Sequence, residues 1–304
     1  MTQLKWTLSF RPSLCYLLEA IISDRQTIDA TLVEPLRPPA QLLRTWSLPH
    51  EFWPRLISAA ARDSSGGSDD DHAWSTSVRE AIGGMHTADR SRELNANSDR
   101  LIELLSQAGA VLRQHRPHME AELPLRIRPL REQWLARGPG LLRQIDLCIG
   151  DNHSSATPID VIGVIPLIGG AGQAFPSQSA VLIEAVLTNA DERLPELVRL
   201  AWLVTQLRLT TASETATSFY VSRRCQLAAL LLALAAADHL EWFAPTPPPL
   251  ALALQTWLHA SAPLAERSTA TLPADWSAQL ASPSDLHRLW HLADHLETEL
   301  TELS

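Results

Sequence analysis

Lysine and cysteine are scarce in this chain of 304 residues, and their scarcity excludes some chemistry. Lys5 is the single lysine, against 24 arginines, so a lysine-dependent mechanism would have to use Lys5 itself. The three cysteines, Cys15, Cys148 and Cys225, lie far apart in apolar segments and form no C-x-x-C pair. This pattern indicates buried thiols in a reducing compartment. Charged residues interrupt the first segment, which lacks the apolar centre of a secretory signal, so a cytoplasmic location is expected.

Excess positive charge and long apolar runs are also missing. The formal net charge is -9, which disfavours a sequence-independent grip on the phosphates of nucleic acid. The unbroken apolar run 227–237 has 11 residues, well short of the roughly 20 that a membrane span requires. Neither the G-x-S-x-G motif of α/β-hydrolases nor a P-loop is present. We therefore expect neither nucleic-acid binding nor membrane insertion.

The centre of the chain predicts a short sheet followed by a buried helix. Residues 159–168 form a β-branched apolar run typical of a buried strand, and the glycines at 169–172 end it in a turn or loop. Residues 180–187 are apolar except for Glu184 and fit either a second strand or the start of a helix; we favour a strand, at the edge of the sheet. Pro195 suits the first turn of a helix that should continue to about residue 209 and is apolar nearly all round.

A second apolar helix is predicted over 223–242, and helices are predicted through much of the first 150 residues. We expect a break in the last of these at Gly138, Pro139 and Gly140. The fold class is thus mainly α with a small β-sheet (α+β), a helical array around two buried apolar helices. Three segments are predicted: an N-terminal helical region over 1–158, a strand-strand-helix-helix core over 159–260, and an irregular linker with a C-terminal amphipathic helix over 261–304.

The order of elements in 159–260 resembles that of a zincin-type (gluzincin-like) metallopeptidase domain. In that family the buried helix carries H-E-x-x-H, in which two histidines hold zinc and the glutamate activates the metal-bound water. Aligned with that helix, the segment RLAWLVTQL places Trp202 and Gln206 at the ligand positions and Leu203 at the position of the general base. Indole offers only an N–H donor, leucine has no ionisable group, and a glutamine amide is a poor zinc ligand. The resemblance therefore implies a pseudo-enzyme without catalytic residues, metal or cofactor.

Two groups of histidines are candidate metal sites. His115 and His118 flank Pro117, which disfavours a continuous helix through both and indicates a solvated helix junction. His287, His291 and His295 recur every four residues, a spacing that can chelate a metal.

The C-terminal helix has an apolar seam that sets those last histidines on its outer face. The seam follows a 3,4,3,4,3 spacing and consists of Leu286, Leu289, Ala293, Leu296, Leu300 and Leu303. It predicts packing either against the rest of the chain or against a second copy, in which case the protein self-associates through this helix.

Three functions from different classes remain open at this point. The preferred one is a non-catalytic structural or protein-interaction protein, a pseudo-metallopeptidase. The second is a metal-dependent hydrolase with a site assembled from the histidines at 115, 118, 287, 291 or 295. The third is a peptide or small-molecule binder that uses the edge of the strand at 180–187.

Overall fold

The computed structural model describes residues 3–25, 30–63, 70–85, 88–149, 158–167, 169–187, 189, 191–213, 221–243, 246–280 and 286–301. Within them the strands are β1 Leu4–Leu8, β2 Ile159–Val164, β3 Gly172–Phe175 and β4 Ala180–Glu184. The helices are α1 Phe10–Ile22, α2 Ala30–Arg44, α3 Phe52–Arg62, α4 Asp70–Gly83, α5 Ala88–Ala96, α6 Ser98–His115, α7 Met119–Ile149, α8 Glu196–Ser213, α9 Arg223–His239, α10 Leu250–Leu258, α11 Ala262–Ala270, α12 Trp276–Leu280 and α13 Leu286–Thr301.

The four strands form one mixed sheet in the order β1-β2-β4-β3. β1 runs parallel to β2, and β2 runs parallel to β4, with Val161 opposite Val181. β3 is antiparallel to β4 and occupies the end of the sheet. Every residue of β4 is buried, as expected for a strand covered by helices on both faces.

The strand predicted over 180–187 is present, but its predicted edge position is wrong. β4 ends at Glu184 and pairs with β2 on one side and with β3 on the other. The short strand β3 turns back and covers it, so β3 takes the edge. The glycines at 169–172 do more than form a loop, because Gly172 already belongs to β3.

The two apolar helices predicted from the sequence pack against each other at the centre. α8 also contacts β3 and β4, and α9 also contacts α7, α12 and α13. Leu227 to Ala237 on α9 are all buried. On the other side of the core, α1 contacts β2, and α3 contacts α1 and β1. The predicted fold class, mainly α with a small β-sheet around two buried helices, is confirmed.

Helix α7 runs without interruption through the break that was predicted at residues 138–140. Pro124, Pro129 and Pro139 all lie inside it. A proline within a helix costs about 3 kcal/mol, whereas each fully buried large apolar side chain contributes about 1.5 to 3 kcal/mol. α7 buries a long apolar face on both sides of Gly138, including Leu130, Trp134, Leu141, Leu142 and Ile145. Burial of this face therefore outweighs the lost hydrogen bonds.

The expectation of an irregular segment after residue 260 is also wrong. α11 and α12 lie in it, and α11 packs against α10 and α13 while α12 packs against α9. The small residues that suggested irregularity are used in close packing, since Ala265 and Ser268 are fully buried. Residues of all three predicted segments contribute to one continuous buried cluster.

The seam of α13 packs within the chain. Leu289, Leu292, Ala293, Leu296 and Leu300 are buried, and the helix contacts α9 and α11; Leu303, the last residue of the predicted seam, lies outside the described residues. The apolar side chains of this seam are thus covered within the chain, Leu286 in part. Among the described residues, no helix combines the length and apolar character needed to cross a membrane.

Candidate functional site

Helix α8 presents the three residues that align with the zincin motif toward the edge of the sheet. Trp202, Leu203 and Gln206 are at most 2% exposed. Trp202 and Gln206 line a cleft, whereas Leu203 packs beneath the first residue of β3. A methyl group added at Gly172 would come within 2.6 Å of Leu203 Cδ1, so glycine allows β3 to lie directly on α8.

The cleft has a volume of about 310 Å³ and is bounded by the start of β3, α8, the first turn of α9 and the end of α10. Its walls combine two indoles, two guanidinium groups, an imidazole and three side-chain amides. The lining residues are Arg25, Ala171, Gly172, Gln173, Ala174, Trp202, Gln206, Val221, Arg223, Gln226, Trp257, Leu258 and His259. Within the described part of the chain, no carboxylate is among them.

Two tryptophans form a flat wall of the cleft. The rings of Trp202 and Trp257 are stacked, with centroids 5.5 Å apart and planes inclined by 15°. Trp202 Nε1 donates to the backbone oxygen of Gln226 at 2.9 Å, which satisfies its only polar group. The pair thus forms a rigid apolar base of the cleft, 2% and 5% exposed, in which the donor of Trp202 is already used.

Gln206 supplies a polar group to the same cleft. Its Nε2 is buried and has no hydrogen-bond partner within the part of the chain that the structure describes. A buried donor without a partner costs about 1 to 3 kcal/mol, so such groups are rare in a protein without a reason. An amide with a free donor that lines a cleft is typical of a group that meets a ligand acceptor.

Positive charge gathers at the other end of the cleft. Arg25 is paired with Glu19 at 2.5 Å, whereas Arg223 has no ion-pair contact with a described carboxylate and is attracted from a greater distance by Glu297 of α13. Its Nη1 and Nη2 both donate to the backbone oxygen of Leu258 at 3.3 Å. Burial lowers the pKa of the Arg223 guanidinium, and burial likewise lowers the pKa of His259. The positive charges of the cleft are thus the guanidinium groups of Arg25 and Arg223, while the lowered pKa of His259 favours its neutral form.

No described strand pairs with β3 on the side away from β4, where Gly172 is partly exposed and Ala174 is buried. Glu184 N donates to the oxygen of Ala171 at 3.1 Å, next to the pairing of Gly172 with Ile183. Because paired residues alternate in an antiparallel ladder, Gln173 and Phe175 face β4, and Gly172 and Ala174 direct their N–H and C=O groups outward. This edge borders the cleft, and its N–H and C=O groups have no strand partner among the described residues.

A second polar cluster lies beneath the cleft, around Glu184. This carboxylate is fully buried and accepts five hydrogen bonds from described residues. Its Oε1 accepts from Tyr16 Oη at 2.9 Å and from Leu167 N at 2.8 Å, and its Oε2 accepts from Gly169 N and Gly170 N at 2.7 Å and Ala171 N at 3.1 Å. All five donors point at one group, so Glu184 holds the loop between β2 and β3 in place.

Arg199 completes that cluster from α8. Its Nη1 donates to the backbone oxygen of Ala171 at 2.6 Å, its Nη2 donates to the backbone oxygen of Glu184 at 2.8 Å, and it forms an ion pair with Glu196. The sequence predicts that α8 is apolar and buried, and it is buried. Two arginines, Arg199 and Arg208, are nevertheless buried within it, and Arg208 forms an ion pair with Asp146 of α7. Both guanidinium groups bind oxygen atoms within the fold, so they stabilise the packing of α8 against its neighbours.

The structure does not bring the candidate histidines together as a metal site. His115 and His118 are exposed at the junction of α6 and α7, as predicted. His287 and His291 are exposed on α13, and His295 meets Thr271 Oγ1 at 2.9 Å. Across the described ranges, no group of three or more histidine, cysteine, aspartate or glutamate side chains could hold a metal ion.

A larger cleft, of about 430 Å³, lies at the helical surface near Trp46. The arginine on its wall, Arg90, already pairs with Glu93 and donates to the backbone oxygens of Trp46 and Ser47. With that charge satisfied internally, the cleft offers less to a ligand than the one beside β3.

The sequence did not indicate the residues that give the cleft its charge. Arg25, Arg223 and His259 are separated by more than 30 residues at each step and belong to no motif. Glu184, by contrast, was visible as the one charged residue in an apolar strand. No protein-family model matches this chain, and no significant match was found among curated proteins or solved structures.

Proposed function

We propose that this protein is a non-catalytic binding protein, a pseudo-metallopeptidase whose cleft receives an extended segment of another protein along β3. The observation that carries the proposal is that Trp202 and Gln206, at the positions where a zincin has its zinc ligands, line an open cleft beside the edge strand. The segment would bind at β3 and not at the strand predicted over 180–187, because β4 is paired on both sides.

The chemistry of the cleft supports binding over hydrolysis. General acid-base catalysis of peptide hydrolysis needs a carboxylate or an equivalent base near the reacting water. No carboxylate is found among the described residues that line the cleft, and Glu184 has its oxygens occupied by five donors. A strand edge without a partner is a group that recognises peptides, through main-chain hydrogen bonds.

The test has two measurements on the purified native chain. The first is elemental analysis, with thermal unfolding before and after chelation; a stoichiometric metal whose removal lowers the melting temperature would support the metal-dependent hydrolase instead. The second is binding of a random, acetylated and amidated hexapeptide library, followed by tryptophan fluorescence and hydrogen exchange. We expect fluorescence changes and slower exchange at the amides of Gly172 and Ala174. Unchanged exchange at both amides would refute binding along β3.

A further inference from the structure

We infer that the cationic end of the cleft, at Arg223, is a subsite for a single carboxylate. The bound segment would carry an acidic residue there, beside the residue whose carbonyl accepts a hydrogen bond from Gln206. This inference rests on the proposed function and adds the chemical class of the ligand. It is carried by three observations: the guanidinium of Arg223 has no ion-pair contact among the described residues, the amide of Gln206 is buried without a partner there, and no described lining residue is a carboxylate.

The charge count selects a monoanion. Arg25 is already paired with Glu19, whereas Arg223 has no ion-pair contact in the described parts of the chain and is attracted from a greater distance by Glu297. At most one positive charge therefore remains, which one carboxylate balances, while a phosphate would bring an excess of negative charge. Arg223 uses donors on Leu258 O and still has others in its five-donor fork, which suits a carboxylate oxygen.

The position of Arg223 at the start of a helix also favours the binding of an anion. It is the first residue of α9, whose N-cap Ser222 accepts from Cys225 N at 3.3 Å. The start of a helix carries partial positive charge, which adds to that of the guanidinium. His259 lies at the same end, where its backbone adopts a left-handed conformation with φ 55° that turns the chain after α10. Its imidazole N–H is a further donor for the carboxylate.

Gln206 provides the second contact. Its Nε2 donor is buried without a partner among the described residues, and a peptide carbonyl is the acceptor that a segment laid along β3 would bring. The stacked tryptophans separate these polar contacts from the core. The cleft volume of about 310 Å³ accommodates a few side chains, so the rest of the ligand lies outside it.

The experiment compares matched libraries of acetylated and amidated hexapeptides that differ at one fixed position: glutamate, glutamine or phosphoserine. Binding is measured by tryptophan fluorescence to the wild-type chain. We expect the glutamate library to bind about tenfold more tightly than the glutamine library, the effect of one charge-assisted hydrogen-bonded contact. Equal affinity for these two libraries would overturn the carboxylate subsite while leaving the proposed function standing. Failure of all three to bind would overturn both.

Variants assign the effect to Arg223. Arg223→Gln should abolish the preference for glutamate over glutamine, and Arg223→Lys should retain part of it. The matched control is Arg224→Gln, which removes a neighbouring exposed arginine whose guanidinium pairs with Asp294, outside the cleft. Far-ultraviolet circular dichroism establishes that each variant is folded. An undiminished preference in a folded Arg223→Gln variant, or tighter binding of the phosphoserine library than of the glutamate library, would overturn the assignment.

Discussion

The indole of Trp202 on α8 lies flat against that of Trp257 on α10, with ring centroids 5.5 Å apart. Because both rings are almost fully buried, the stack joins the central helix to a helix that the sequence did not indicate. Trp202→Ala is expected to lower the free energy of unfolding by about 3 to 5 kcal/mol, the usual loss for a large core truncation. Urea unfolding measures it, and the half-buried Trp46→Ala is the control expected to lose less.

Replacement of Gln206 should stabilise the fold and weaken ligand binding. Its buried Nε2 lacks a partner among the described residues, so Gln206→Met, which keeps the length of the side chain, is expected to raise the free energy of unfolding by about 1 to 3 kcal/mol. The same variant should bind the glutamate library less tightly, because it cannot donate to a ligand carbonyl. Urea unfolding and the fluorescence titration measure the two effects. A stabilised variant with unchanged affinity would show that the amide does not meet the ligand.

Glu184 should be required as a carboxylate. In Glu184→Gln, the amide can turn its Nε2 toward Tyr16, whose hydroxyl can accept, but Leu167 N then faces a donor. One orphaned buried N–H corresponds to a loss of about 1 to 3 kcal/mol in the free energy of unfolding.

The control for this substitution is Glu103→Gln, on the exposed face of α6, for which little change is expected. A double-mutant cycle with Tyr16→Phe adds a sharper check. Removal of the hydroxyl takes away the acceptor that Glu184→Gln relies on, so the two substitutions should not be additive. Strict additivity would contradict a shared cluster.

Gly172 should tolerate no side chain. A Cβ there would lie 2.6 Å from Leu203 Cδ1 and 3.2 Å from the backbone oxygen of Leu182, so Gly172→Ala is expected to lower the free energy of unfolding by about 1 to 3 kcal/mol. Gly140→Ala is the matched control within α7, where the added methyl group meets open space, and it should raise the free energy of unfolding by about 0.5 to 1 kcal/mol. Thermal and urea unfolding measure the expected decrease for Gly172→Ala and the expected increase for Gly140→Ala.

Alkaline pH should destabilise the fold through Cys15 and Tyr16. Burial raises the pKa of both groups above their ordinary values of 9.0 and 10.0, and the nearby Glu184 carboxylate raises the pKa of Tyr16 further. Above those ordinary values the unfolded chain releases protons that the folded chain retains, so the free energy of unfolding falls as pH rises, by about 1.4 kcal/mol per pH unit for each group. Below them neither group contributes.

Urea unfolding at a series of pH values from below 9.0 to above 10.0 measures this dependence. Tyr16→Phe removes one of the two ionising groups and should flatten the curve above the ordinary pKa of tyrosine. An equally steep curve in this variant would show that Tyr16 is not the source of the effect.

Local pattern determined much of the fold of this protein. The apolar content of residues 196–209 and 227–237 required two buried helices, and the β-branched run at 159–164 required a strand between them and the N-terminal elements. The period of the final helix placed its histidines outward and its leucines inward. These features follow from short-range spacing, which the sequence states directly.

Only the tertiary structure decided which strand is the edge, whether α7 is broken, and where the charges meet. β3 covers β4 because Gly172 lets it lie on Leu203, and α7 continues past its prolines because its apolar face is buried along its whole length. Arg25, Arg223 and His259 come together only when α1, α9 and α10 pack around the stacked tryptophans. Contacts between residues far apart in the chain depend on packing energies that no local pattern records.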